Sequence, residues 1–396
     1  PKTLCLFIAL LPVAILSGSL VINIFHILIS LIFLVEIYKE KKIKFFNDYF
    51  FYLLLFLWLS FLINLFFSTI PENGLSRSIG FLRFILLIFA IKYIFLYENE
   101  KYKKLILNVW LAVFIIVTLD LFFEFYFGRN TLGFTSYMPG RLAGFLNDEL
   151  KIGGYYYGFI LIAATYILIN NKKYFYISFV IFILTALLTG ERANFLKILL
   201  MSIPFVIFLN YKAKIKVKYF LIIIIFAILA TVIYKPFFKQ RFYFDFLDID
   251  QKLSLKTFIK KTEKHYVHYS TSYKILKDNI WFGVGLKNFR NESNKKKYNE
   301  NNEKKHLSWS THPHQIHLEF LSETGLVGYF IFLFLFTISF FIGLKNYLIS
   351  GNFYSLCGSL FIFTTFLPLI PSGSFFTTFG ATIFWINYSL INLKKV

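Results

Sequence analysis

The sequence predicts an all-α, polytopic membrane protein of about 12 transmembrane helices with one large extracytoplasmic loop. Three observations predict it. Hydrophobic residues fill 57% of the 396 positions and charged residues only 16%, against roughly 25% charged in soluble domains. Mean hydropathy is +0.63. Apolar runs of about 20 residues, the length a helix needs to cross roughly 30 Å of hydrocarbon, recur between polar breaks. This composition excludes one water-soluble globule, and so apolar a chain does not stay disordered. The net charge of +21 would elsewhere suggest nucleic acid; here it sits between apolar runs and points to the lipid bilayer as partner.

In chain order the runs predict spans near 4–16, 20–38, 45–67, 78–97, 105–127, 154–170, 174–189, 194–210, 219–238, 318–343, 353–370 and 374–391. The first is short and carries Pro12, which suits a tilted or re-entrant piece or a trimmed start. There is no A-x-A-like cleavage site, so no removed signal peptide is expected. Residues 1–238 thus hold nine spans, 239–313 the large loop and 314–396 three more. Cys5 and Cys357 lie within apolar runs and read as small hydrophobes rather than a disulfide pair. The 54 Phe read as compositional drift and carry no functional weight. No solenoid-period repeat is visible.

Loop charge orients the spans. Lys39, Lys41, Lys42, Lys44, Lys101, Lys103, Lys104, Lys172, Lys173, Lys212, Lys214, Lys216, Lys218, Lys345, Lys394 and Lys395 fall in alternate short breaks and at the end, the cytoplasmic side by the positive-inside rule. The intervening breaks hold only Arg77, Arg129, Arg141, Lys151 and Arg192. The segment 239–313 is basic too, but long loops cross regardless of charge. Within it Ser272–Trp281 reads as a short helix with Trp281 near the interface, and 291–305 as a mobile stretch.

With this topology all seven arginines lie at the outer face: Arg77, Arg83, Arg129, Arg141, Arg192, Arg241 and Arg290. Topology alone needs only positive charge. Arginine adds a planar fork that grips phosphate or carboxylate oxygens in pairs. An anionic partner on that side is expected, with Arg77 and Arg129 expected only to snorkel to headgroups. Arg192 stands in Thr189-Gly190-Glu191-Arg192-Ala193-Asn194, a tight turn between spans. Glu191 would neutralise it in a purely structural role; adjacent side chains point different ways, which favours an available guanidinium that lines a substrate path.

Ser310-Thr311-His312-Pro313-His314-Gln315-Ile316-His317 opens the span after the large loop. With Thr311 as N-cap and Pro313 in the first turn, His314 is expected beside the positive end of the helix dipole. That field disfavours imidazolium and keeps a neutral ring able to act as a general base. His312, His314 and His317 also invite a zinc reading, which the x-Pro-x geometry and the lack of a completing ligand spacing disfavour. A plain helix-start histidine is the remaining reading.

These residues resemble a known signature. His314-Gln315, nine residues, Gly325, three residues and Tyr329 are similar to the bacterial O-antigen ligase pattern. Arg141-Leu-Ala-Gly144-Phe-Leu-Asn147, the Gly190-Glu-Arg192-Ala turn and Asn279-Ile-Trp-Phe-Gly283-Val-Gly285 resemble segments of the wider O-antigen ligase and polymerase family, in the family's order. The Gly283-x-Gly285 pair follows no βαβ unit, so a dinucleotide loop is excluded and a tight turn is expected. The resemblance covers roughly the last two thirds of the chain.

The resemblance implies a helical membrane glycosyltransferase in the bacterial inner membrane, without metal or cofactor. Its site faces the periplasm, and 239–313 is a periplasmic loop. The donor would be a glycan on undecaprenyl pyrophosphate; the acceptor would be lipid A–core for a ligase or another repeat unit for a polymerase. It implies His314 as the base, Arg192 as a pyrophosphate anchor and Arg141 as a further substrate contact, with Gln315 beside the base. Where the family commonly has a loop arginine this chain has His265, next to Lys264, and Tyr269 stands where Trp is usual. Lys264, Arg241 or Arg290 would then supply the second phosphate contact. The non-enzyme alternative, a transporter or flippase of lipid-linked sugars, expects pseudo-symmetry and midplane charge, neither visible here.

Overall fold

The computed structural model describes residues 1–213, 225, 255–298, 309–368 and 370–393. The predicted span 219–238 apart from residue 225, Arg241 and the loop segments 239–254 and 299–308 lie outside the described residues. Every regular element among the described residues is a helix. We label them α1 Lys2–Ala9, α2 Leu11–Leu16, α3 Ser19–Lys39, α4 Tyr49–Phe66, α5 Pro71–Gly80, α6 Leu82–Tyr97, α7 Glu100–Phe127, α8 Ile152–Asn170, α9 Lys172–Leu188, α10 Arg192–Ala213, α11 Leu255–Asp278, α12 Phe289–Glu292, α13 Ile316–Ser350, α14 Phe353–Thr365 and α15 Thr378–Ser389.

Among the described residues seven stretches are long and apolar enough to cross a membrane: Ser19–Lys39, Tyr49–Phe66, Pro71–Tyr97, Glu100–Phe127, Ile152–Asn170, Arg192–Lys212 and Ile316–Ser350. Polar residues just before the apolar runs start several helices. Asp48, Asn99, Asn171, Asn352 and Thr377 each accept a backbone N–H of the following turn, satisfying a donor the helix itself cannot. The first predicted span divides into α1 and α2, with Pro12 in the first turn of α2.

One contiguous apolar core joins α1 to α15, rich in edge-on aromatic contacts around Phe336, Phe375, Phe384 and Trp385. Two polar contacts in and beside it offset the cost of charge near hydrocarbon. Lys92 pairs with Asp48 across α6 and the start of α4. Tyr93 donates to Glu40 at 2.7 Å.

The connections at one end of the bundle are folded onto each other. Asp120 and Glu124 on α7 are buried, and their carboxylates collect the N–H groups of Thr131, Ala143 and Gly144 at 2.7–2.9 Å. They draw residues 128–150 back over the helix ends. The loop at 281–288 docks on the ends of α4 and α5 through Thr69, Asn64 and Asn73. The large connection carries helix where the sequence suggested less: α11 is longer than the short helix expected at Ser272–Trp281, and the helical turns 289–292 and 296–298 overlap the stretch expected to be mobile.

Candidate functional site

The signature glycine breaks a helix. Gly325 has φ 64° and ψ −168° inside α13. The break strips Ser322 and Glu323 of regular helix partners, and their carbonyls accept Val284 N–H at 3.0 Å and Gly285 N–H at 2.9 Å instead. Gly283, at φ 65°, lies so close that a Cβ would meet the Glu323 carbonyl carbon at 2.5 Å. The Gly-x-Gly turn therefore plugs into the Gly325 break, and only glycine fits on both sides. Sequence reading expected a tight turn here but not its receptor.

Helix α13 begins later than the sequence suggested. Gln315, not Thr311, is its N-cap: its side-chain oxygen accepts Leu318 N–H at 2.8 Å. Pro313 keeps its predecessor out of the helical region, and His314 adopts the left-handed conformation at φ 58°. His314 thus precedes the helix rather than sitting in its first turn. Left-handed backbone in a non-glycine residue is uncommon and costs of order 1–3 kcal/mol, a strain that clusters at functional sites. Two contacts hold the turn: the His314 carbonyl accepts Ser372 N–H at 2.9 Å, and Ser310 Oγ lies 3.3 Å from His314 Nε2.

Three more imidazoles surround that ring. The centroid of His312 lies 4.1 Å from that of His314, His268 5.2 Å and His265 5.8 Å. His268 is fully buried on α11, a residue the sequence reading passed over. Burial, then Arg77, His268 and Arg290, push the His312 pKa down to about 4, so His312 is uncharged at neutral pH. Tyr269 stands beside His265, and burial raises its hydroxyl pKa. The Lys264 side chain lies outside the described residues. His317 faces elsewhere: Nε2 is 2.8 Å from the Phe366 carbonyl and Nδ1 is 3.1 Å from Tyr329 Oη. A carbonyl only accepts, so Nε2 carries the proton and Nδ1 accepts from Tyr329. The signature tyrosine thus fixes His317, which removes that ring from the three-histidine zinc reading. Among the described residues no three His, Cys, Asp or Glu converge as a metal site.

Arg192 is the first residue of α10 and is exposed. Glu191 turns inward. Its carboxylate accepts Gly153 N–H at 2.8 Å and the Asn194 amide at 2.6 Å, and lies 3.4 Å from Arg141. Burial raises the Glu191 pKa, while Arg141 and these hydrogen bonds pull it back. Arg141 also donates to the Leu150 carbonyl, so these contacts tie its guanidinium to the turn itself. Gly190, at φ 68°, presses on the other strand of this contact; a Cβ there would stand 1.8 Å from the Gly140 oxygen. Gly190→Ala is expected to destabilise the protein by about 3 kcal/mol or more, since both the φ and the backbone contact must give. A thermal unfolding midpoint in detergent equal to wild type would show that the turn is not clamped.

In segment 370–379, Ser372 holds His314, and Glu319 on α13 holds Ser374 Oγ and the Phe375 N–H. The Phe379 ring lies 5.9 Å from Lys151 Nζ, and a Cβ at Gly154 would stand 3.5 Å from that ring and 3.7 Å from the Asn194 amide. Segment 370–379 thus runs from the His314 turn toward the Arg192 turn at one end of the bundle. Arg77 does not snorkel as expected. It lies 17% exposed, 3.8 Å from the buried Glu323 and over the Phe376 ring. Arg129 is exposed. Arg290, on α12, is half-buried and acts electrostatically on both His312 and Glu323.

Residues 177–333 match the family model described as O-antigen ligase, a segment that holds Arg192, Lys264, His265, Arg290, His314 and Gln315. The match supports the O-antigen ligase and polymerase family, whose members are glycosyltransferase-like enzymes of O-antigen assembly. No curated protein matches the chain. The apolar helices and the family match together mark a multi-pass membrane protein.

Proposed function

We propose that the chain is an O-antigen ligase, proceeding from the family match over 177–333. It moves a glycan from undecaprenyl pyrophosphate to lipid A–core at the periplasmic face of the bacterial inner membrane, without a metal ion. The observation that carries the reading is His314, held left-handed at the mouth of α13 among other imidazoles, with segment 370–379 running from it toward the Arg192 turn.

The chemistry follows from the substrate. A sugar pyrophosphate carries its own leaving group, so no other energy source is needed. The acceptor hydroxyl oxygen attacks the anomeric carbon and its proton passes to His314. The anomeric C–O bond breaks with its electron pair going to the pyrophosphate, and attack from the opposite face inverts the centre. Arg192 meets the charge that grows on the leaving group, a fixed electrostatic contribution of the kind that is often the largest in catalysis. Arg290, beside His312, is the second phosphate anchor, with Lys264 and His265 on α11 completing the donor side and Gln315 fixing the turn that presents the base. Arg141 acts through Glu191 by holding the Arg192 turn.

Deletion of the gene followed by a lipopolysaccharide gel tests the reading. A ligase null leaves bare core while lipid-linked polymer accumulates. Core carrying a single repeat unit would assign the polymerase reaction, which the same family match covers. Unchanged glycans would overturn both.

A further inference from the structure

We propose that a cavity at the same end of the bundle, apart from the His314 and Arg192 turns, binds a phosphate-bearing group. Its volume is about 420 Å³, and none of His265, His312, His314, Arg192 or Arg290 lines it. Arg77, Arg83, Lys151 and Lys287 do, and no carboxylate stands among the described residues that line it. They come from four separate places: α5, α6, the start of α8 and the Gly-x-Gly turn.

Local carboxylates do not cancel this charge. Glu149 reaches Lys151 at 2.9 Å, but both side chains are about half exposed, and such surface pairs contribute little. Glu323 offsets Arg77 from 3.8 Å. Among the described residues Arg83 has no carboxylate within ion-pair distance; its guanidinium lies over the Phe84 ring at 5.0 Å. The break between α5 and α6 at Phe81 sets Arg77 and Arg83 toward one space, with Gly80 leaving the side of the Arg83 fork open.

Unmet hydrogen bonds point the same way. Arg83 Nε and the Trp385 indole N–H are buried donors with no partner among the described residues, and both residues line the cavity. A buried donor left unpaired costs about 1–3 kcal/mol, so two around one space call for an acceptor-rich ligand. Phosphate supplies several acceptor oxygens and negative charge to match cations that Glu323 and Glu149 offset only in part. Asn23 Oδ1 is also buried without a partner among the described residues, and Asn23 lines the cavity. It suits a hydroxyl on the carrier of the phosphate, or with its amide turned over supplies one more donor. The Phe81, Phe84 and Phe379 walls fit the apolar or ring portion of that carrier.

The occupant is thus the phosphate of a lipid headgroup, of a lipid-linked glycan or of a phosphorylated acceptor. Treating it as a transferase substrate rests on the proposed function; the binding does not. Arg77 also borders His312 electrostatically, and Phe375 and Phe376 line the cavity beside Glu319, so an occupant here would sit next to the reacting centre without forming it.

The test uses the full chain in phosphatidylcholine nanodiscs, titrated with inorganic pyrophosphate by calorimetry. The background is Arg192→Gln, to remove the proposed donor anchor. Binding is expected to persist there and to weaken roughly ten- to hundredfold on adding Arg83→Gln, the worth of a charge-assisted hydrogen bond. Arg83→Lys should lose less, and Trp385→Phe several-fold. Lys287→Gln, in the turn, gives the same reading should Arg83→Gln fail to fold. Nanodiscs containing phosphatidylglycerol separate the sources: competition with pyrophosphate assigns a phospholipid headgroup, and its absence assigns a pyrophosphate-bearing substrate. Pyrophosphate affinity unmoved by Arg83→Gln and Lys287→Gln, or no binding with either probe, overturns the site. His314→Asn should leave this binding intact while abolishing transfer, so transfer retained in that variant with binding preserved counts against the proposed function alone.

Discussion

His314→Asn is expected to abolish glycosyl transfer while the protein remains folded in the membrane. Asparagine is the informative replacement because His314 is left-handed at φ 58°, a conformation Asn tolerates far better than Ala. The Ser372 contact runs to the backbone carbonyl of residue 314, so it survives the change. What is lost is the ring that takes the acceptor proton, a contribution of roughly 10²–10⁴-fold in rate. His312 does not substitute for it geometrically, since Thr311 Oγ1 stands 2.9 Å from its Nδ1 and its Nε2 is buried. The measurement is transfer in a deletion strain complemented with the variant, read as smooth lipopolysaccharide on a gel, alongside the amount of protein in the membrane. Transfer within a few-fold of wild type at equal protein would remove the imidazole from the chemistry.

The parts of this molecule that were legible from sequence are those set by local periodicity. Apolar runs bounded by lysines announced helices because a span must be long and continuous, and α3, α7 and α8 lie within a few residues of 20–38, 105–127 and 154–170. The His314 turn was legible in its residues but not in its geometry. Thr311 and Pro313 each suit a helix start, yet Gln315 competes for the cap and wins once Ser372 pulls on the His314 carbonyl. Arg77 was misread for a related reason: its partner Glu323 lies on α13, far along the chain, and nothing in the local sequence advertises it. His268 was invisible too, because one histidine in a polar helix carries no pattern until α11 folds against α13. The Gly325 break could have been suspected, since a glycine after Ser322-Glu323-Thr324 inside a long apolar helix has a price unless something uses the opening. The user, Gly283, again came from elsewhere in the chain.

Arg192→Lys is expected to cost roughly ten- to hundredfold in transfer with no loss of stability. Arg192 is the first residue of α10, where the helix dipole makes a cation unfavourable by about 0.3–1 kcal/mol. The dipole therefore opposes a positive charge at this position, for arginine and lysine alike. Its neighbour does not require it either: Glu191 is already held by Arg141, Gly153 and Asn194. Lysine keeps the charge, the approximate length and the helix start, and gives up only the planar fork that can hold two phosphate oxygens at once. The exchange thus isolates geometry from charge, and the loss of a charge-assisted hydrogen bond to the leaving pyrophosphate sets the expected size. If the arginine served only to anchor the turn to headgroups, lysine would do as well and turnover would match wild type. A rate fall with the unfolding midpoint unchanged has no such explanation, because an altered turn would release Glu191 and register first as lost stability.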